Sequence, residues 1–138
     1  DEPRITAEGI DKLHAKIPAI LADVPGINFY GPPNADLTVI GWGSTKGAIL
    51  EAMQRAADAG HSVNFLQILY PSPFPAEAVR TALGHARAII LVEGNKTAQL
   101  GGLLRRHTGI VPDHVFLKYD SRPFTVGALT AKLLEVLK

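Results

Sequence analysis

Four short apolar runs, each followed by a stretch with helical spacing, constrain this chain more than any other feature. The runs cover residues 37–40, 63–69, 88–92 and 115–118. They lack the regular apolar–polar alternation of a strand with one wet face, which predicts strands buried on both sides. The stretches between them repeat apolar residues at helical intervals. Residues 46–59 place Ile49, Leu50, Met53 and Ala57 on one face, and 76–84 begin directly after Pro75. Residues 97–107 end in Arg105, Arg106 and His107, and 124–137 align Leu129, Leu133, Val136 and Leu137. Pro75 suits a first helical turn, Gly60 and Gly109 stand where C-terminal caps belong, and cations in a last turn favour the helix dipole. Repeated strand–helix units predict an α/β fold with a mostly parallel sheet covered by helices on both faces.

With 138 residues, 46% of them hydrophobic, the chain has enough apolar side chains for one ordinary core. The division we expect is a helical lead-in and Pro/Gly-rich linker over 1–34 and a single α/β domain over 35–138. The lead-in spaces Ile10, Leu13, Ile17, Ile20, Leu21 and Val24 along one helical face, interrupted at Pro18. Pro25-Gly26 breaks that pattern, and Gly31-Pro32-Pro33-Asn34 stiffens the approach to the first clear strand.

A formal net charge of +1 gives no footprint for nucleic acid or for a basic membrane arm. The absence of cysteine excludes disulfides, thiolate zinc sites, a cysteine nucleophile and iron–sulfur ligation within this segment. No apolar run reaches bilayer length and no signal-peptide pattern opens the chain, so a cytoplasmic location is the simplest expectation. The first residue is Asp rather than Met, which a fragment, a processed form or a missing start would each explain.

Parallel strands bring their strand-to-helix loops to one edge of the sheet, where open α/β folds bind ligands. In the first loop, Gly41-Trp42-Gly43-Ser44-Thr45-Lys46-Gly47 predicts a glycine turn at a helix N-terminus, with Ser44 or Thr45 as the cap and Lys46 adding charge. Its glycine spacing fits neither a dinucleotide fingerprint nor a phosphate loop, and Trp42 stands where a hydrolase elbow needs glycine. Glu93 closes an apolar strand, which makes it either a poised carboxylate or a structural acceptor for loop N–H groups, Lys46 or Arg122. Arg122, before Pro123, suits either a bound carboxylate or phosphate or an ion pair between domains. Ser44, Thr45, Lys46, Glu93, Asn95, Gln99, Lys118 and Arg122 share this edge; the polar set there would be a small-molecule site, a docking edge or a network that holds the loops together, and we expect these eight to contact an anion or a neighbouring domain. The five histidines are scattered without ligand spacing, and Ser44 has no evident base. No metal ligand and no catalytic residue is therefore assigned.

The loops taken together resemble a known family. Gly41-Trp42-Gly43-Ser44-Thr45-Lys46-Gly47, Pro73-Phe74-Pro75, Glu93-Gly94-Asn95 with Gln99-Leu100, and Lys118-Tyr119-Asp120-Ser121-Arg122-Pro123-Phe124 are similar to the C-terminal domain of the α subunit of 2-oxoacid:ferredoxin oxidoreductases, the 2-oxoglutarate type above all. Ser121 departs from the glycine common there. The resemblance implies a three-layer α/β/α fold like the transketolase C-terminal domain, with four to five strands and one antiparallel edge, the fifth strand coming from 27–30 or from a part read as loop. It implies that the whole complex oxidatively decarboxylates a 2-oxoacid to an acyl-CoA. Thiamine diphosphate with magnesium, iron–sulfur clusters and coenzyme A would serve it, and a catalytic β subunit and ferredoxin would be its partners. This domain would hold none of these cofactors and would support assembly. Two other readings stand beside this one: a stand-alone module binding an anionic metabolite at the 43–47 turn, and the C-terminal domain of another thiamine-dependent enzyme, of dehydrogenase or transketolase type.

Overall fold

In a computed structural model, which describes residues 26–42, 45–70, 72–94, 99–118 and 122–138, the apolar runs build a five-stranded mixed sheet. The elements follow as β1 (Ile27–Tyr30), β2 (Leu37–Trp42), α1 (Lys46–Asp58), β3 (Val63–Ile68), α2 (Ala76–Leu83), β4 (Ile89–Glu93), α3 (Gln99–Thr108), β5 (His114–Leu117) and α4 (Val126–Val136). Across the sheet the order is β1-β3-β2-β4-β5. β2 pairs in parallel with both β3 and β4, and β5 continues in parallel from β4. The segment 27–30 supplies the fifth strand, antiparallel to β3, so the sheet takes in residues grouped above with the linker. The lead-in over 6–24 lies outside the described residues.

Register explains why the central strands are apolar on both sides. Ile40, Leu66 and Leu91 stand level on one face and pack against α2 and α3 through Val79, Leu83, Leu100 and Leu104. Val39, Phe65 and Ile90, one residue before, face the other way onto α1 and α4 through Ile49, Met53, Leu129 and Leu133. Successive side chains of a strand alternate between faces, so a strand in the middle of three layers is mostly apolar on both, and the polar residues it does bury, such as Asn64 and Gln67, are hydrogen-bonded. Each large aliphatic side chain fully buried in this way contributes about 1.5–3 kcal/mol.

The connections are fixed by local chemistry. α1 ends at Gly60, whose φ of +92° is the left-handed cap expected there, and α3 ends at Gly109 with φ +77°. At the opposite edge from the strand-to-helix loops, the starts of β2 and β3 are tied together by Asp36 and Ser62. The Asp36 N–H donates to Ser62 Oγ (3.0 Å), and Ser62 N–H donates to Asp36 Oδ2 (3.1 Å). Hydrogen bonds to the carboxyl from the Ser62 N–H and the Ser62 side chain, with Arg87 at 3.3 Å, hold the Asp36 carboxyl below its ordinary range. Its stabilising effect is therefore present above the unfolded value of 3.8 and lost as the pH falls through the folded one.

α4 starts later than the 124 expected, because Thr125 is extended (φ −89°, ψ 150°) and caps it by accepting the Ala128 N–H at 3.1 Å. Thr125→Ala should lower the chain's unfolding free energy by about 1 kcal/mol, read from the midpoint of a urea titration, whereas Thr125→Ser should stay near wild type.

Candidate functional site

The chain order sets the site before any side chain does. From β2 the path goes through α1 to β3 on one side. It then returns through α2 to β4 on the other, so β2 and β4 are neighbours whose crossovers leave on opposite faces. The crevice between their C-terminal ends is the topological switch point of the sheet. Trp42 closes β2 there and Glu93 closes β4.

Glu93 is fully buried. Alternation along β4 turns its side chain toward α3, and the carboxylate meets the first turn of that helix. Oε1 accepts the Leu100 N–H at 2.7 Å, and the Gly101 N–H also bonds to the carboxylate. A carboxylate from the neighbouring strand thus satisfies N–H groups that α3 itself leaves unpaired, at the positive end of its dipole. Among the described residues no donor reaches Oε2, which is also buried. Burial pushes the Glu93 carboxyl above its ordinary 4.5, and the two backbone N–H bonds pull it part of the way back. The carbonyl of Glu93 accepts the Lys118 N–H at 3.1 Å, which ties the end of β5 to the same point.

Of the two residues expected to cap α1, Ser44 or Thr45, the described residues include Thr45. Thr45 sits at the N-cap of α1, but its backbone is already right-handed (φ −77°, ψ −9°) and its side chain accepts nothing from the helix. Its hydroxyl instead donates back to the Trp42 carbonyl at 3.0 Å, as hydroxyls do when their residue has turned helical. Ser44 lies outside the described residues. Gly41 lets these groups crowd together, since a Cβ there would lie 3.3 Å from Thr45 Oγ1 and 3.4 Å from the Val92 carbonyl. The Lys46 ammonium stands 5.5 Å over the Tyr30 ring.

The remaining candidates fall around this point. Gln99 opens α3 and is exposed, Lys118 follows β5 and is half-buried, and Arg122 is exposed ahead of α4. Asn95 lies outside the described residues. Glu93, Lys118 and the start of α3 are brought together through main-chain bonds. A polar cluster beneath the edge was missed in the sequence. Gln67 of β3 is buried and its Oε1 accepts from the Tyr30 hydroxyl at 2.9 Å and from Asn28 Nδ2 at 3.2 Å. The available signal was Gln67, with Asn64, inside a mostly apolar run, since such side chains must find partners when buried.

A family model described as "Pyruvate:ferredoxin oxidoreductase core domain II" matches residues 35–114, more than half of the chain. The chain belongs to that family. The pyruvate:ferredoxin oxidoreductase core domain II seen here is 41% identical over 97 residues to the 2-oxoacid:ferredoxin oxidoreductase subunit alpha of Saccharolobus solfataricus, covering 70% of this chain and 15% of that subunit. The chain thus spans about a sixth of the length of the curated relatives it matches. Among solved structures it is similar to the 2-oxoglutarate:ferredoxin oxidoreductase of Magnetococcus marinus, determined with 2-oxoglutarate, coenzyme A and succinyl-CoA bound (TM-score 0.76, 26% identity, 88% of this chain and 21% of that one). It is also similar to the alpha chain of a probable 2-oxoacid ferredoxin oxidoreductase from Thermoplasma acidophilum (TM-score 0.58, 36% identity, 81% of this chain and 97% of that one). Transketolase from Campylobacter jejuni, at 16% identity and TM-score 0.61 over 81% of this chain and 19% of that one, shares the fold.

The core domain II geometry bears on cofactors through its donor set. The chain has no thiolate to hold an iron–sulfur cluster. Among the described residues no three of His, Asp and Glu converge as a cation site, and the Glu93 oxygen nearest α3 is taken by main-chain N–H groups. No chemical step is derived through a cluster or a magnesium diphosphate. Among the described residues no helix is long and apolar enough to cross a membrane.

Proposed function

We propose that this chain is a non-catalytic assembly domain of the α subunit of a thiamine diphosphate-dependent 2-oxoacid:ferredoxin oxidoreductase, of the 2-oxoglutarate type and located in the cytoplasm. The whole complex would convert the oxoacid to an acyl-CoA and pass the electrons to ferredoxin. The observation that carries this reading is the structural match to the 2-oxoglutarate:ferredoxin oxidoreductase of Magnetococcus marinus over 88% of the chain, joined to the family match over 35–114. The cofactors, magnesium and iron–sulfur clusters included, would be bound elsewhere in the complex, with the chemistry belonging to them. The edge formed by Thr45, Lys46, Glu93, Gln99, Lys118 and Arg122, with Ser44 and Asn95, would then meet a neighbouring domain or subunit such as the catalytic β subunit. Main-chain ties at Glu93 support a positioning role, because they lock β4, β5 and α3 into one rigid corner.

The test is made on native extract. An antibody to this segment captures the polypeptide, its mass is measured, and the captured material is assayed for 2-oxoglutarate-dependent, coenzyme A-dependent viologen reduction. We expect a polypeptide several times longer than 138 residues and reduction that stops when coenzyme A is omitted. A free chain of this length without that activity rejects the proposal and moves the reading to a separate ligand-binding module.

A further inference from the structure

The two edge strands of the sheet differ in their cover. β1 is buried along nearly all its length, whereas every residue of β5 is half-buried or exposed. On the α2/α3 face the core reaches Leu91 of β4, but Val115, its neighbour in register on β5, is 46% exposed. The sequence of α3 is the cause. A Cβ at Gly101 would lie 3.1 Å from Leu91 Cδ2, so glycine lets the helix sit close on the sheet, and Gly102 adds no side chain beyond it. A groove of about 220 Å³ is left beside Leu91, lined by Gly101, Gly102, Arg105, Val111, Pro112 and Val115. Val111 is 61% exposed at its rim.

The main chain beside this groove is also unfinished among the described residues. Lys118 donates its N–H inward to the Glu93 carbonyl. A parallel ladder has a period of two, so the N–H and C=O groups of Val115 and Leu117 point outward from the sheet. Charge narrows what fits. Between residues 99 and 118 the cations are Arg105, Arg106 and Lys118, with His107 and His114 beside them, and the one acid is Asp113. That carboxylate is engaged, accepting the Ile89 N–H at 2.8 Å. A second copy of this chain would set arginine and lysine against their own counterparts, which opposes self-pairing.

We propose that β5 and this groove receive an extended apolar segment flanked by Asp or Glu, supplied by another part of the oxidoreductase assembly and added to the sheet as a sixth strand. The inference rests on the function proposed above. About five-sixths of the length of the curated relatives lies outside this chain, which leaves ample polypeptide to supply the segment. Outward N–H and C=O groups would supply affinity, the groove would hold alternate apolar side chains, and Arg105 with its neighbours would fix orientation.

Hydrogen exchange on the native assembly tests the strand, and a photo-cross-linker tests its chemistry. In the assembled enzyme the amides of Val115 and Leu117 should exchange roughly tenfold or more slowly than unpaired edge amides. Benzoylphenylalanine in place of Val111 should join, on illumination, to a peptide from outside this 138-residue chain that is apolar with flanking carboxylates. Arg105→Glu should remove about tenfold of that protection, and Arg105→Lys should retain it. Fast exchange at both amides, a cross-link to residues of this chain or of a second copy of it, a cross-link to a segment without acids, or protection unchanged in Arg105→Glu overturns the proposal. Viologen reduction by the same wild-type assembly is scored separately, and its absence rejects the function proposed above while the exchange and cross-link outcomes still read.

Discussion

Gly31→Ala should destabilise the chain by about 3 kcal/mol, from backbone strain and steric overlap together. Gly31 sits at φ +99°, outside the range that residues with a Cβ adopt readily. The added Cβ would also lie 3.0 Å from the Val63 carbonyl oxygen and 3.2 Å from Asn64 Cα, both of them backbone. That backbone cannot yield cheaply. Val63 is paired with Leu37 and buried, and Asn64 holds the Pro32 carbonyl with its amide at 2.8 Å. Gly60→Ala is the control, because φ there is +92° but a Cβ would meet nothing within 4 Å. It should cost about 1 kcal/mol, from conformation alone. Urea unfolding of the two variants separates the terms, and equal midpoints would show that the close approach at Gly31 has no energetic weight.

The same contrast marks what the sequence made legible. The glycine at 31, ahead of two prolines, announces a turn, but its contact with Val63 and Asn64 is made by residues more than thirty positions away. The layers were legible for a physical reason. Strands buried on both faces are mostly apolar, so residues 37–40, 63–69 and 88–92 declared themselves in spite of Thr38, Asn64 and Gln67, and the glycine caps at 60 and 109 fixed two helix ends. β1 did not, because Asn28 interrupts a run of four residues, and its polarity makes sense only beside Gln67 on another strand. The strand-to-helix loops were gathered correctly at one edge, since parallel connectivity alone requires it. The direction taken by each side chain within them was not. Ser44 or Thr45 was expected to cap α1; Ser44 lies outside the described residues, and the Thr45 hydroxyl bonds backward to Trp42 because its backbone is already right-handed, which no residue pattern specifies. Glu93 stood out as a charge closing an apolar strand, and its structural reading is the one with geometry behind it. Its partner is the main chain of α3.

That partnership gives Glu93 an expected effect as large as that at Gly31. Glu93→Ala removes the acceptor for the Leu100 and Gly101 N–H groups, opens a small cavity and leaves buried donors unpaired, so it should cost about 3 kcal/mol. Glu93→Gln keeps a carbonyl for Leu100 but places an amide where Oε2 finds no partner among the described residues. At acid pH it should cost about 1 kcal/mol. With rising pH the sign of the comparison moves. Burial raises the folded carboxyl above its unfolded 4.5, so the native state binds the proton more tightly than the unfolded one. The wild type therefore holds its full contribution below 4.5 and loses it as the pH climbs through the folded value, while glutamine, which does not titrate, loses nothing. The gap between Glu93→Gln and wild type should narrow steadily above pH 4.5 and level off once the folded carboxyl is ionised. Urea unfolding of both proteins across a pH series measures that gap. Parallel profiles would mean that the carboxyl is hydrated in the folded chain, and the corner where β4, β5 and α3 meet would then be an open water-filled site rather than a rigid joint.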